Sequence, residues 1–255
     1  MKLRTLLALA ALVLLPASLF AQSGKVFDNL SMPSQILQGE RKYAIYLPPD
    51  YAHSQQRYPV LYLNDGQDRD AVGLQATLQR LIGAGVIRAP IVVAIDMPRD
   101  RMAAYGLSDR EAGTSLVAQT KYGPVGTQAH AYSEWIVRTL VPLVDARYRT
   151  RTTRDARAIA GWSLGGLNAF NLGWQYPEVF GRAGAFSPSF WLSAERGDAD
   201  AVQRTRLAQR MIDRSEPRNG ARWFFAVGTD EETDDRDGDG VNDAIDDPRD
   251  LAEGW

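Results

Sequence analysis

One serine in this sequence has the neighbours a nucleophile needs. The stretch Ala158-Ile159-Ala160-Gly161-Trp162-Ser163-Leu164-Gly165-Gly166 reads as a short apolar strand, a Gly-x-Ser-x-Gly turn and a helix opening over Leu164 to Phe170. A serine on a sharp strand-to-helix turn has strained backbone angles, and its hydroxyl projects clear of the sheet edge. The turn brings backbone close on both sides, so the flanking positions must be small, as Gly161 and Gly165 are. Ser163 then stands at a helix N-terminus, where unpaired N–H groups and the dipole favour an oxyanion. The chemistry this suits is acyl transfer through a serine. The bland reading, a glycine-rich turn with a chance serine, lacks the strand before and the helix after.

Two further stretches converge on that chemistry. Tyr58-Pro59-Val60-Leu61-Tyr62-Leu63 is a buried-looking strand that ends in Asn64-Asp65-Gly66-Gln67. A tetrahedral oxyanion is held by two backbone N–H groups, one after the nucleophile and one from the loop after an earlier strand. Leu164 and Gln67 fit those roles. After the last apolar run, Gly228-Thr229-Asp230-Glu231-Glu232 places carboxylates where the second member of a Ser–acid–His order belongs. Glu231 is the first choice, with Asp230 and Glu232 close behind; the alternative is that all three are solvated loop acids.

A different chemistry is written in Asp235-Arg236-Asp237-Gly238-Asp239-Gly240-Val241-Asn242-Asp243-Ala244-Ile245-Asp246. Carboxylates at positions 1, 3 and 5 converge as a chain curls, a glycine at 6 permits the sharp turn, and position 7 offers its carbonyl. The spacing matches the first half of an EF-hand loop and resembles thrombospondin type 3 calcium repeats. It predicts a structural calcium (Ca2+) site built from Asp235, Asp237, Asp239, the Val241 carbonyl, Asp243 and Asp246. Position 12 is aspartate where the EF-hand has glutamate. An acidic disordered loop is the competing reading.

The elements that must position these groups alternate between strand and helix. Lys25 to Leu37 suits an edge strand, and Arg41 to Leu47 a strand stopped by Pro48-Pro49. Leu74 to Ile82 suits a helix, Pro90 to Asp96 a buried strand, and Arg99 to Gly126 a long polar loop. The spacing of Trp135, Ile136, Leu140, Val141 and Val144 predicts a helix over Tyr132 to Ala146. A further helix ends near Tyr176-Pro177, Ala183 to Pro188 holds a strand end, Ala199 to Arg214 is helical, and Trp223 to Gly228 is the last clear strand. This order predicts an α/β fold with a mainly parallel, doubly wound sheet in one domain. The 255 residues, 45% hydrophobic and 24% charged, suffice for such a core.

The net charge of −2 points to neither nucleic acid nor anionic membrane as a partner, and the absence of cysteine excludes disulfide and thiolate chemistry. Residues 1–21 read as a signal peptide: Lys2 and Arg4, then Leu6 to Leu15, then Leu19-Phe20-Ala21 before Gln22. The apolar run is shorter than the roughly 20 residues of a spanning helix. We expect a periplasmic or secreted mature protein over 22–255, with the calcium insert at 235–246 and no stable membrane anchor.

The run from Tyr58 to Gly66, the elbow Gly161-Trp162-Ser163-Leu164-Gly165-Gly166 and Ser187-Pro188-Ser189-Phe190-Trp191 together resemble the esterase D and enterochelin-esterase-like branch of the α/β-hydrolases, a family that also includes feruloyl esterases. The likeness runs from about residue 40 to the end. It implies an α/β-hydrolase fold and a Ser/acid/His enzyme acting on a small-molecule ester, with Ser163 as nucleophile, Leu164 and Gln67 at the oxyanion and Glu231 matching the acid. Trp191 is a candidate substrate contact, with Arg101 or Tyr105 at the pocket mouth. One departure matters: no histidine follows His130, and a serine needs an adjacent base. His53 reads as a surface turn residue and His130 as a capping or surface residue. We expect the sequence to be C-terminally incomplete, without the final strand, histidine loop and closing helix. A non-catalytic calcium-stabilised binding module and an acyltransferase are the alternative functions.

Overall fold

A computed structural model of the chain describes residues 24–231 and 233–253; the expected signal peptide and Glu232 lie outside the described residues. In chain order the first strands are β1 (Lys25–Pro33), β2 (Glu40–Leu47), β3 (Val60–Leu63) and β4 (Ile91–Ile95), with helix α1 (Leu74–Gly83) between the last two. The stretch read as a loop is built instead from a short helix, α2 (Arg101–Ala104), and two small hairpins, β5 (Leu107–Asp109) with β6 (Thr114–Leu116) and β7 (Ala118–Thr120) with β8 (Gly123–Val125). Strands of three residues are too short to show an alternating pattern, so the sequence hides them.

Helix α3 (Ala129–Trp135) runs through a π-turn at Ile136–Leu140 into α4 (Val141–Arg147). Pro142 has no N–H to give Arg138, and a wider turn at that point accommodates the missing bond. The elbow strand β9 (Arg157–Trp162), helix α5 (Leu164–Gln175) and strand β10 (Arg182–Phe186) follow. The helical stretch after them is broken into α6 (Ala199–Arg204) and α7 (Leu207–Asp213), because Thr205 and Leu207 are drawn onto the preceding loop: Ala194 N–H donates to the Thr205 carbonyl at 3.0 Å and Leu207 N–H to the Leu192 carbonyl at 2.9 Å. Strand β11 (Arg222–Ala226) and helix α8 (Asp243–Glu253) complete the described chain.

The main sheet has the order β1-β2-β4-β3-β9-β10-β11. β1 and β2 are antiparallel to their neighbours, and β4 onward is parallel. On one face α3, α4 and α5 cover Tyr62, Val93, Ile95 and Ile159, with Trp135, Ile136 and Leu172 buried among them. On the other face α1 covers Leu63, Val92 and Ala160 through Leu78. Burial of each such side chain contributes about 1.5–3 kcal/mol. Helix α5 is buried along almost its whole length, and its two buried asparagines anchor it. Asn171 accepts from Ser108 N–H at 2.7 Å and donates to Ser133 Oγ at 3.0 Å. The elbow therefore sits on a rigid helix. Among the described residues no helix is long and apolar enough to cross a membrane.

Candidate active site

Ser163 lies between β9 and α5 with φ 54° and ψ −126°. A non-glycine residue held there costs of the order of 1–3 kcal/mol and persists only where its surroundings fix it. They do: Ser163 N–H donates to the Phe186 carbonyl at 3.0 Å, and its own carbonyl accepts from Leu167 N–H at 3.0 Å and Ser189 N–H at 3.3 Å. A Cβ on Gly161 would stand 2.5 Å from the Gly165 carbonyl oxygen, and one on Gly165 would stand 2.4 Å from Asp65 Oδ2. The second contact shows why the motif needs glycine here: the loop after β3 rests directly on the elbow.

That loop turns through Asp65 (φ 55°, ψ 44°) into a single 3-10 turn, Gly66–Asp68. Gln67 sits within the turn, where early N–H groups have no helical partner. Its side chain faces away: Oε1 accepts from Met97 N–H at 2.7 Å and Nε2 donates to Asp68 at 3.1 Å. Leu164 is the first residue of α5, so its N–H is likewise free of the helix. β3 and β9 are neighbours in register up to Leu63 and Ala160, and Asn64 N–H donates to the Ala160 carbonyl at 2.9 Å. The structure thus brings the Gln67 loop and the Leu164 helix start to one sheet end.

A buried polar network holds the two together. The Arg101 guanidinium donates to Asp65 Oδ1 at 3.1 Å and Oδ2 at 3.2 Å, and to the Trp162 carbonyl at 3.4 Å. Asp65 N–H donates to the Tyr105 hydroxyl at 3.1 Å, Tyr105 hydrogen-bonds Tyr132, and Tyr132 donates to Asn64 Oδ1 at 3.2 Å. Asn64 in turn donates to the Gly165 carbonyl at 2.9 Å and to Asn168 at 3.1 Å. Burial, above all, pushes both tyrosine hydroxyls up, so they stay neutral. Tyr105 therefore does not line the pocket mouth. Tyr105 is fully buried, and Arg101 is turned inward onto a carboxylate only 1% exposed. The residue types alone did not reveal this pairing, because Asp65 and Arg101 lie far apart in the chain.

Glu231 follows β11 on an exposed turn, where its carboxylate accepts from Gly228 N–H and from Ser187 Oγ, both at 2.5 Å. Ser187 comes one residue after β10, whose last residue pairs with Trp162, so Glu231 lies at the same end of the sheet as Ser163. Ser189 was not singled out by sequence; its hydroxyl is 3.4 Å from Ser163 Oγ. The pair Ser187 and Ser189 at a strand end was the available signal. His53 is exposed, as expected, in a turn with N–H donated to Asp50. His130 is half-buried in the first turn of α3, Gln128 being the cap, and its Nδ1 has no partner. Among the described residues no histidine is hydrogen-bonded to Ser163 or Glu231.

Trp191, 39% exposed, lines a groove of about 800 Å³ with Tyr122, Lys121, Glu195 and Arg196. Asp235 and Arg236 form part of its wall, so the aspartate loop borders this groove. Carboxylate oxygens of Asp235, Asp237 and Asp239 lie within 4.8 Å of one another, a donor set that suits a hard cation. Burial, then Asp250, Asp237 and Asp239, push the Asp246 carboxyl up to about 6, which places it within electrostatic reach of the cluster. Asp243 departs from the expected ligand set. It is buried, accepts from Arg236 N–H at 3.0 Å and pairs with the Arg236 guanidinium at 3.0 Å. Asp247 joins Arg236 to Arg206, anchoring the loop to α7.

A parallel sheet entered through an antiparallel hairpin, with a strained serine between strand and buried helix, defines an α/β-hydrolase. Residues 34–247 match the family described as "Putative esterase", and the chain belongs to that family. It is 28% identical over 163 residues to the protein YbbA of Bacillus subtilis, covering 60% of this chain and 58% of that one. It is 29% identical over 170 residues to an endo-1,4-beta-xylanase/feruloyl esterase of Xylanibacter ruminicola, covering 62% of this chain and 21% of that one. The chain thus spans less than two thirds of either relative. The structure of an IroE-like serine hydrolase from Shewanella oneidensis superposes with a TM-score of 0.67 at 24% identity, over 91% of this chain and 68% of that one.

Proposed function

We propose that this chain is a carboxylic ester hydrolase working through an acyl-serine intermediate. The observation that carries the reading is the strained Ser163 with the Asp65–Gln67 loop packed on its elbow. Family membership and the feruloyl esterase among its relatives support it. Ser163 Oγ attacks the ester carbonyl, and the Leu164 and Gln67 N–H groups hold the oxyanion that forms. Collapse of that intermediate expels the alcohol, and water then releases the acid. Glu231 stands where the acid of a Ser–acid–His relay belongs, and it would orient the base that such a relay needs. Trp191 and its groove receive part of the substrate. Aromatic-acid esters, which the named relative suggests, come first in a substrate panel after p-nitrophenyl acetate. Ser163→Ala should abolish hydrolysis of p-nitrophenyl acetate; surviving turnover sinks the reading. Transfer to an alcohol acceptor instead of water uses the same residues and would show as acceptor-dependent product.

Residues 1–21 suit export, and we include a periplasmic or secreted location in the proposal. We also include a structural calcium ion, which Asp235, Asp237, Asp239, Asp246 and the Val241 carbonyl would hold, crosslinking a loop of like charges. A second reading, a calcium-stabilised binding module on a hydrolase scaffold, is favoured by the absence of a histidine hydrogen-bonded to Ser163 among the described residues. A serine-directed fluorophosphonate separates the two: it labels the enzyme and leaves the module unmodified.

A further inference from the structure

The opposite end of the sheet carries charge that nothing in the ester chemistry uses. Arg182 and Arg222 open β10 and β11 and are partners in register, so both side chains rise from the same face. Like charges placed side by side on neighbouring strands repel. Among the described residues neither arginine forms an ion pair. Arg154, in the turn before β9, adds a third guanidinium whose Nε and Nη2 are buried without a hydrogen-bond partner. Its nearest carboxylate, Asp155, stands 3.9 Å from Nε and is 80% exposed.

The backbone holds the three positions together. Gly181 N–H donates to the Arg154 carbonyl at 2.9 Å, and Arg222 N–H donates to the Gly181 carbonyl at 2.9 Å. Between them is a cavity of about 580 Å³ lined by Arg154, Asp155, Arg182 and Arg222, with Gly181 and Gly220 contributing no side chain. Three positive charges face one negative charge there, in a chain whose formal net charge is −2. Arg182 and Arg222 are exposed at this cavity, and guanidinium forks suit tetrahedral oxyanions.

We propose that Arg154, Arg182 and Arg222 form a binding site for a phosphate-class dianion. The excess of two charges matches a phosphate better than a carboxylate. The site lies a strand length from Ser163, roughly 13 Å along four residues of β10, and it stands independently of the esterase reading. Its source is either a soluble phosphate compound or a lipid headgroup.

Calorimetric titration of the purified protein with inorganic phosphate, and with acetate, tests the site. Saturable phosphate binding is expected, with acetate far weaker. Arg182→Gln/Arg222→Gln should weaken phosphate affinity by about tenfold or more, while Arg88→Gln, which removes a charge elsewhere, should not. In phosphate-free buffer the double variant should be at least as stable as the parent, since a repulsion is removed. Sedimentation with phosphatidic acid vesicles then assigns the source: pelleting with the vesicles indicates a headgroup, and phosphate binding without pelleting a soluble ligand. Absent phosphate binding, equal affinity for acetate, equal weakening by Arg88→Gln, or a double variant that is destabilised without phosphate would each overturn the proposal.

Discussion

Replacing Arg101 by glutamine should damage catalysis through the oxyanion loop. Arg101 holds Asp65 by two hydrogen bonds and reaches the carbonyl of Trp162, the residue before the nucleophile. Removing it leaves a carboxylate 1% exposed without its partner. Breaking a buried pair costs about 3–5 kcal/mol, and the partial exposure of Arg101 reduces this to about 2–3 kcal/mol. At roughly 2–4 °C per kcal/mol for a domain of this size, Tm should fall by about 5–10 °C. The larger effect is on rate. Asp65 begins the turn that presents Gln67 N–H, and loss of one oxyanion donor lowers kcat by about 10²–10³-fold. Turnover of p-nitrophenyl acetate should show that fall in kcat with KM little changed. Arg101→Lys should recover only part of it, since lysine cannot make the paired contact. The double variant Asp65→Asn/Arg101→Gln separates stability from positioning: it should regain Tm, because the lone buried charge is gone, without regaining kcat. A single variant that keeps parental kcat, or a double variant that recovers kcat together with Tm, would refute the reasoning.

In the proposed relay Glu231 is the acid, so Glu231→Gln should lower kcat by about 10²–10⁴-fold in steady-state assays. Gly165→Ala should lower Tm by thermal melt, since its Cβ would stand 2.4 Å from Asp65 Oδ2; overpacking of this kind costs about 1–3 kcal/mol. Calcium should raise Tm in a chelator-treated sample, and Asp237→Asn/Asp239→Asn should abolish that response. Asp247→Ala should destabilise by about 1–3 kcal/mol in urea melts, because it leaves the buried Arg206 with Asp250 alone and removes the carboxylate that ties Arg236 and the aspartate loop to α7.

Periodicity and punctuation revealed the main architecture. Pro48-Pro49, the apolar runs around Val60, Val92 and Ile159, and the spacing of Trp135 to Val144 all mark elements of the sheet and its helices. The seven-stranded sheet, mainly parallel, has the expected class, and the family match agrees with the resemblance carried by the elbow and the Tyr58–Gly66 run. Three-residue strands between Leu107 and Val125 carry no pattern long enough to read. The break between α6 and α7 arises from tertiary hydrogen bonds to the Leu192–Ala194 loop, which local propensity does not encode. At the site, residue types located Ser163, Leu164, Gln67 and Glu231 at one sheet end because each follows a strand. Long-range pairs stayed hidden: Asp65 with Arg101, Asn64 with Tyr132, and Asp243 with Arg236 each require the fold before the partner is known.

The central claim is that Ser163 is an activated nucleophile, and active-site labelling tests it most directly. The protein is treated with a fluorophosphonate, and the adduct is mapped by peptide mass spectrometry alongside Ser163→Ala. The account predicts one adduct, on Ser163, formed in step with loss of p-nitrophenyl acetate hydrolysis and absent from the variant. Hydrolysis that continues without an adduct on Ser163, or that survives in Ser163→Ala, would contradict it.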